Sequence, residues 1–116
     1  MQPKRIQNGP RMSQAVVHGG VVYLSGQVAL DHGGEPVAVQ TRAILERIDR
    51  LLAEAGTSKS KLLSASIWLS DIDTFAEMND VWDAWVDPEN APARATVESR
   101  LAAPQFTVEI AVIAAL

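Results

Sequence analysis

VQTRAILERIDRLLAEAGTSKSKLLSASIWLS, residues 39–70, decides the fold of this chain. Its first half predicts an amphipathic helix over residues 39–55, because apolar residues recur at helical spacing between charged ones. Gly56 is the expected end of that helix. In the second half, apolar residues alternate with serines and Trp68, which predicts a strand with one apolar and one mixed face. The inward positions of the helix are Val39, Ala43, Ile44, Ile48, Leu51, Leu52 and Ala55.

Strand and turn signals surround this helix–strand unit. Residues 14–18 and 21–25 flank the pair Gly19-Gly20, which is typical of a two-residue β-hairpin. Residues 93–99 and 106–113 read as two closing strands. The predicted order is βββ-α-β-α-ββ in one domain over residues 1–116. We therefore expect an α+β fold, with both helices on one face of a mostly antiparallel, six-stranded mixed sheet.

A second helix is predicted before the closing strands. Thr74 and Glu77 have the spacing of a capping box, and Pro88 marks the end of the helix. Its apolar stripe indicates core or interface anchors rather than a stacking platform. The stripe consists of Phe75, Met78, Trp82 and Trp85.

The sheet face away from the helices is predicted to be apolar. Leu62, Trp68 and Ile113 are expected there, and such a patch usually marks a partner surface. We therefore expect a homo-oligomer, with sites at the subunit seams.

Composition excludes several functional classes. The chain has 116 residues, a net charge of −4 and no cysteine. The acidic balance argues against a nucleic-acid backbone binder. Without cysteine there is no disulfide framework, thiol nucleophile or thiolate metal site. No apolar run has the length of a membrane span or the character of a signal peptide, so we expect a cytoplasmic protein.

Arg94 and Glu109 are the two charges that most need an explanation. Strand alternation puts Arg94 and Thr96 on one face of their strand, and Glu109 on the mixed face of the last strand. If the two strands pair, the arginine and the glutamate share a side of the sheet. A cross-strand ion pair that stabilises the sheet is one interpretation. The other is that Arg94 binds a substrate carboxylate while Glu109 orients a water.

The remaining polar candidates carry weaker signals. Gly26, within Ser25-Gly26-Gln27, follows a strand and offers backbone N–H groups, although a plain turn explains it as well. Asn79 lies inside the second helix, either exposed or hydrogen-bonded into a neighbouring site. His18 and His32 lie in turns without carboxylate ligands at metal-binding spacing, so no metal site is expected. No hydrolase elbow, P-loop or dinucleotide fingerprint occurs.

Taken in order, the motifs resemble the YjgF/RidA family of enamine and imine deaminases over nearly the whole chain. The resemblance rests on Ser13-Gln14-Ala15, VVYLSGQV (21–28), Gln40-Thr41-Arg42, IWLSDIDTFAEMN (67–79), PARATV (92–97) and VEIAVIAAL (108–116). It implies a chorismate-mutase-like fold and a homotrimer with three clefts between neighbouring subunits.

The same resemblance implies a function and roles for single residues. Members of the family hydrolyse reactive 2-imino acids to 2-keto acids and ammonia, without metal or cofactor. By this likeness Arg94 binds the substrate carboxylate, Glu109 is associated with the hydrolytic water, and Gly26 and Asn79 line the site. An imine adds water readily, so positioning and one oriented water suffice for catalysis.

Two positions depart from the family pattern and belong to the predicted substrate site. Met12 stands where members commonly have a tyrosine, and the preceding run is one residue longer; Thr96 stands where cysteine is frequent. These differences indicate a divergent subgroup. The alternative is a non-catalytic trimer that binds a small ligand or has a regulatory role. Activity on RNA is a third, which the acidic charge disfavours.

Overall fold

The computed structural model describes residues 2–116, which form one six-stranded sheet covered by two helices on one face. The predicted α+β class and the order βββαβαββ are confirmed. The elements are β1 Lys4–Asn8, β2 Ser13–His18, β3 Val21–Leu24, α1 Val37–Ala55, β4 Leu62–Leu69, α2 Phe75–Trp85, β5 Ala93–Glu98 and β6 Val108–Ala115. Single turns of 3₁₀ helix precede β4 and α2.

The sheet runs in the order β1-β2-β3-β6-β4-β5, so β5 is an edge strand. All neighbours are antiparallel except β4 and β5, which are parallel. The β2–β3 hairpin closes through Gly19 and Gly20 at φ 60° and 79°, the left-handed conformation that glycine adopts at no steric cost.

Helix α1 provides the apolar layer over the sheet. Ile44, Leu45, Ile48 and Leu52 are at most 2% exposed, and each such side chain contributes roughly 1.5–3 kcal/mol by leaving water. The helix ends at Gly56 in the left-handed conformation, as predicted. The helix begins at Val37 rather than at the predicted Val39. In its first turn, the backbone N–H of Ala38 donates to the carboxylate of Glu77 at 3.1 Å.

The predicted capping box of α2 is wrong. Thr74 leaves a 3₁₀ turn with near-helical backbone angles, so its hydroxyl donates back to the carbonyl of Asp71 at 2.6 Å. Glu77 bonds to α1 instead of its own helix end. The apolar stripe is confirmed in its centre, where Met78 and Trp82 are buried.

The sheet face away from the helices, here called the open face, carries small and apolar side chains. Cross-strand register aligns them in rows, one of which is Tyr23, Ile113, Ser64 and Ala93. Trp68 and Ile113 are half-buried on this face, as predicted. Leu62 is not: an irregularity between Leu62 and Ser64 shifts the alternation, so Leu62 is buried in the core. Leu63 is the exposed residue instead.

No helix within residues 2–116 combines the length and apolar character that crossing a bilayer requires.

Candidate functional site

Arg94 lies on the helix side of the edge strand β5. It is aligned with the buried Ala65 of β4, and its side chain reaches over α2. The guanidinium carbon lies 5.7 Å from the centre of the Phe75 ring and 5.3 Å from that of Trp82, both within cation–π range. Within residues 2–116 this guanidinium has neither an ion pair nor a hydrogen bond, the sole ion pair there being His32–Glu35. Its N–H donors are therefore free for an anion.

Two unsatisfied polar atoms lie on the same side of the sheet as Arg94. Thr96, two residues along β5, has a buried hydroxyl with no partner among the described residues, and so has the side-chain carbonyl of Asn79. Asn79 is four residues after Phe75 and three before Trp82, so helical spacing puts it on the same face of α2. A buried polar atom without a hydrogen bond costs roughly 1–3 kcal/mol, which a bound polar group would offset. We call Arg94, Asn79 and Thr96 the arginine half-site.

Glu109 lies on the opposite face of the sheet. It pairs with Trp68 of β4, while its neighbours Val108 and Ile110 are buried on the helix side. Burial raises the pKa of the Glu109 carboxyl above its ordinary value. A raised pKa makes this carboxylate a stronger base near neutral pH.

Gly26 is in direct contact with the Glu109 side chain. A Cβ at residue 26 would lie 2.9 Å from the carboxyl carbon of Glu109, a separation that real side chains do not tolerate. The absence of a side chain at Gly26 therefore leaves room for the Glu109 carboxylate. Met12, 47% exposed, lies two residues before Gln14, whose carbonyl accepts from the Ser25 N–H at 3.0 Å. We call Gly26 and Glu109 the glutamate half-site; Met12 is connected to it only through the chain segment that leads to Gln14.

A buried polar network fixes the backbone of Gly26, and the sequence did not predict it. The Gln27 amide donates to Gln14 and Ser25 at 3.0–3.1 Å, and its oxygen accepts from the Nε of Arg47 at 3.1 Å. Arg47 is one of the charged residues between the apolar positions of α1, which helical spacing alone would leave facing outward. It is half-buried because Gln27, 2% exposed, needs a donor. Polar residues scattered over β2, the segment after β3 and α1 gave no local signal of this network.

The prediction that Arg94 and Glu109 share a face is wrong. Strand β4 lies between β5 and β6, so these two strands do not pair. Trp68 is aligned with both Val97 and Glu109, and Arg94 is three residues from Val97. At 3.3 Å per residue and 4.8 Å per strand, the two backbones lie about 14 Å apart, with side chains on opposite faces. The cross-strand ion pair therefore does not form within one chain, and one small substrate cannot contact both residues.

The concave surface of the single chain does not join the half-sites either. A groove of about 490 Å³ lies between α1 and α2 and is lined by Arg42, Leu45 and Trp85 among others. None of the six predicted site residues lines this groove. Each half-site is instead a surface feature, one at the sheet edge and one on the open face.

Comparison with known proteins is consistent with this architecture. A family model described as endoribonuclease L-PSP matches residues 3–116. The chain belongs to this family. A RutC family protein of Haemophilus ducreyi is 41% identical over 112 residues, covering 97% of this chain and 95% of that protein. The RutC family protein YoaB of Escherichia coli is 38% identical over 97% of this chain and 96% of its own.

Solved structures of this family show the same fold. A member of the YjgF protein family from Neisseria meningitidis superposes with a TM-score of 0.95 at 47% identity, covering 99% of this chain and 95% of that one. The resemblance to the YjgF/RidA family is thereby confirmed. The matches do not test the roles of single residues, which stay predictions.

One prediction follows from the contact between Gly26 and Glu109. The Gly26→Ala variant will fold, because the Glu109 side chain can swing away from the new methyl group. If Glu109 acts as a catalytic base, we expect kcat/KM to fall about 100-fold, because displacing a catalytic group by about 1 Å has effects of that order. Gly33→Ala is the matched control: its Cβ meets only the flexible side chain of Gln105, at 2.7 Å. Equal activity of both variants would show that the Glu109 position is unimportant.

Proposed function

We propose that this protein hydrolyses small 2-imino acids, and their enamine tautomers, to 2-keto acids and ammonia. The observation that carries the proposal is the Arg94 guanidinium, held over two rings with all its N–H donors unengaged, beside two buried oxygens that lack partners. A planar fork of donors suits a carboxylate. The oxygens of Asn79 and Thr96 suit the other polar groups of a small substrate.

The reaction needs one water and one base. In the proposed step, the Glu109 carboxylate takes a proton from water as the water oxygen adds to the C=N carbon, and it passes that proton to the nitrogen, which becomes an amine. The carboxylate then carries the hydroxyl proton of the carbinolamine to the amine, which leaves as ammonia and gives the 2-keto acid. Substrate imine plus water thus gives keto acid plus ammonia, with no change of oxidation state. A base whose pKa is raised toward the working pH is well suited to this transfer.

The site is proposed to form between neighbouring subunits of a homotrimer. The two half-sites lie on opposite faces of one sheet, so a single substrate meets both only if a second copy supplies one of them. The apolar open face favours such association, because exposed apolar area is stabilised by burial. The edge position of β5 leaves the arginine half-site accessible to that second copy.

Release of keto acid from imines made in the assay by an amino-acid oxidase tests the function. We expect faster release with the protein than in buffer, and catalase must be present to remove the peroxide that decarboxylates keto acids. A protein that binds pyruvate without accelerating imine hydrolysis would support the alternative, a ligand-binding or regulatory trimer. Neither a metal nor a cofactor is proposed.

A further prediction concerns Met12, which replaces the phenol that the family commonly places beside the substrate. Losing one hydrogen bond to the imine or its water lowers the rate about 2- to 12-fold. The flexible thioether suits longer aliphatic side chains. We expect faster hydrolysis of the imine of leucine than of alanine, and Met12→Tyr will shift the preference toward alanine. If the ratio of the leucine-imine rate to the alanine-imine rate is the same in wild type and Met12→Tyr, Met12 does not face the substrate. Arg11 would then be tested.

A further inference from the structure

Arg94 is held in place without an acidic partner. A half-buried arginine is usually fixed by a carboxylate, which neutralises its charge and occupies its donors. Among residues 2–116, no carboxylate lies within ion-pair distance of Arg94. Glu98, four residues further along β5, accepts instead from the backbone N–H of Ile72 at 3.0 Å. What contacts the guanidinium is aromatic: Phe75 and Trp82.

The two rings are separated by seven residues, two turns of α2, so they lie on one face of the helix. The guanidinium carbon lies 5.7 Å from the ring centre of Phe75 and 5.3 Å from that of Trp82, so both rings are within cation–π range. Trp82 is 5% exposed and rigid in the core, where it also packs against Trp85 with ring centres 5.4 Å apart. Phe75 is 40% exposed.

We propose that Phe75 and Trp82 are positioning residues for Arg94 in carboxylate binding. This inference rests on the proposed function. Ring faces attract the cation through their quadrupole and use none of its N–H groups. The rings thus restrict the guanidinium while its fork stays available to a substrate carboxylate. A carboxylate partner would fix the guanidinium as well, but would compete with the substrate for the same donors.

Two variants at Phe75 separate positioning from packing. Phe75→Leu keeps an apolar side chain but removes the ring, and Phe75→Tyr restores the ring. We expect the Kd for pyruvate, a 2-keto acid of the product class, to rise about 3- to 30-fold in Phe75→Leu and to return near the wild-type value in Phe75→Tyr. The matched control is Ile72→Ala, since Ile72 is also 40% exposed and apolar, three residues earlier. It should leave the Kd unchanged.

A spectroscopic signature reports the contact itself. Protons over an aromatic face are shielded, so the Arg94 Nε–H signal, assigned by its loss in Arg94→Lys, should lie upfield of the exposed arginines in ¹H–¹⁵N spectra. Phe75→Leu should move it toward them. Trp82→Phe should keep a shifted signal, since a ring remains.

The readouts distinguish this inference from the proposed function. Absence of turnover in the wild-type protein, with pyruvate binding and the upfield signal intact, would remove the catalytic proposal and leave the positioning role standing. An Arg94 signal at the position of exposed arginines, or equal pyruvate affinity in wild type and Phe75→Leu, would overturn the positioning role.

Discussion

Replacing Arg94 by alanine is expected to lower kcat/KM for imine hydrolysis about 10²- to 10⁴-fold. Two charge-assisted hydrogen bonds to a carboxylate are lost, each contributing roughly 1.5–3 kcal/mol. Arg94→Lys keeps the charge but not the planar fork, so a loss of about 10- to 100-fold is expected. Steady-state assays of keto-acid release measure both.

The fold should survive these changes, because Arg94 takes part in no ion pair within the described chain. Truncation removes only its contacts with Phe75 and Trp82, which contribute about 0.5–2 kcal/mol. Arg100→Lys, at an exposed arginine just after β5, is the matched control and should be fully active. If Arg94→Ala unfolds the protein while its folded fraction stays active, the guanidinium has a structural role only.

Glu109→Gln should lower kcat about 10²- to 10⁴-fold, the range for loss of a general base. Because burial raises the pKa of Glu109, the wild-type rate should fall with decreasing pH at a value above the ordinary 4.5. The residual rate of Glu109→Gln should not show this fall with decreasing pH. Glu89→Gln, at an exposed glutamate before β5, should keep the wild-type profile.

Stability should respond in the opposite direction from activity. Below the unfolded-state pKa, Glu109 is neutral in both states, and wild type and Glu109→Gln should have similar free energies of unfolding. As pH rises through the raised folded-state pKa, the wild-type carboxyl ionises at a desolvation cost that glutamine does not have. Denaturant unfolding at neutral pH should therefore find the variant at least as stable. A variant clearly less stable at neutral pH would mean that the charged carboxylate is satisfied in the fold.

Local periodicity was sufficient to predict most elements of this fold, although no pattern located β1 at Lys4–Asn8. The stretch 39–70 gave α1 and β4, and Gly19-Gly20 gave the hairpin, because helical and strand spacing are properties of neighbouring residues. Leu62 was predicted on the open face but is buried, and Leu63 is exposed in its place. One irregular residue inverts the strand alternation there, and no residue pattern in the sequence indicates it. Thr74 and Glu77 matched a capping box in spacing, yet tertiary contacts with Asp71 and Ala38 prevailed.

The candidate site was predictable in its residues but not in its arrangement. The PARATV and VEIAVIAAL motifs identified Arg94 and Glu109. Their relative position depends on strand order, and the insertion of β4 between β5 and β6 is a long-range feature that chain order does not reveal. Phe75 and Trp82 were found as an apolar stripe. Their contact with Arg94 appeared only when β5 was placed beside α2.

We propose that each active site takes Arg94 from one subunit and Glu109 from another. Arg94→Ala and Glu109→Gln chains, each nearly inactive alone, can be mixed in equal amounts, unfolded and refolded together, with native mass spectrometry to count mixed oligomers. In a cyclic trimer with random assortment, about one quarter of the sites then combine two wild-type residues. Recovery of about one quarter of wild-type activity is expected. Mixed trimers with no more activity than the separate variants would contradict it.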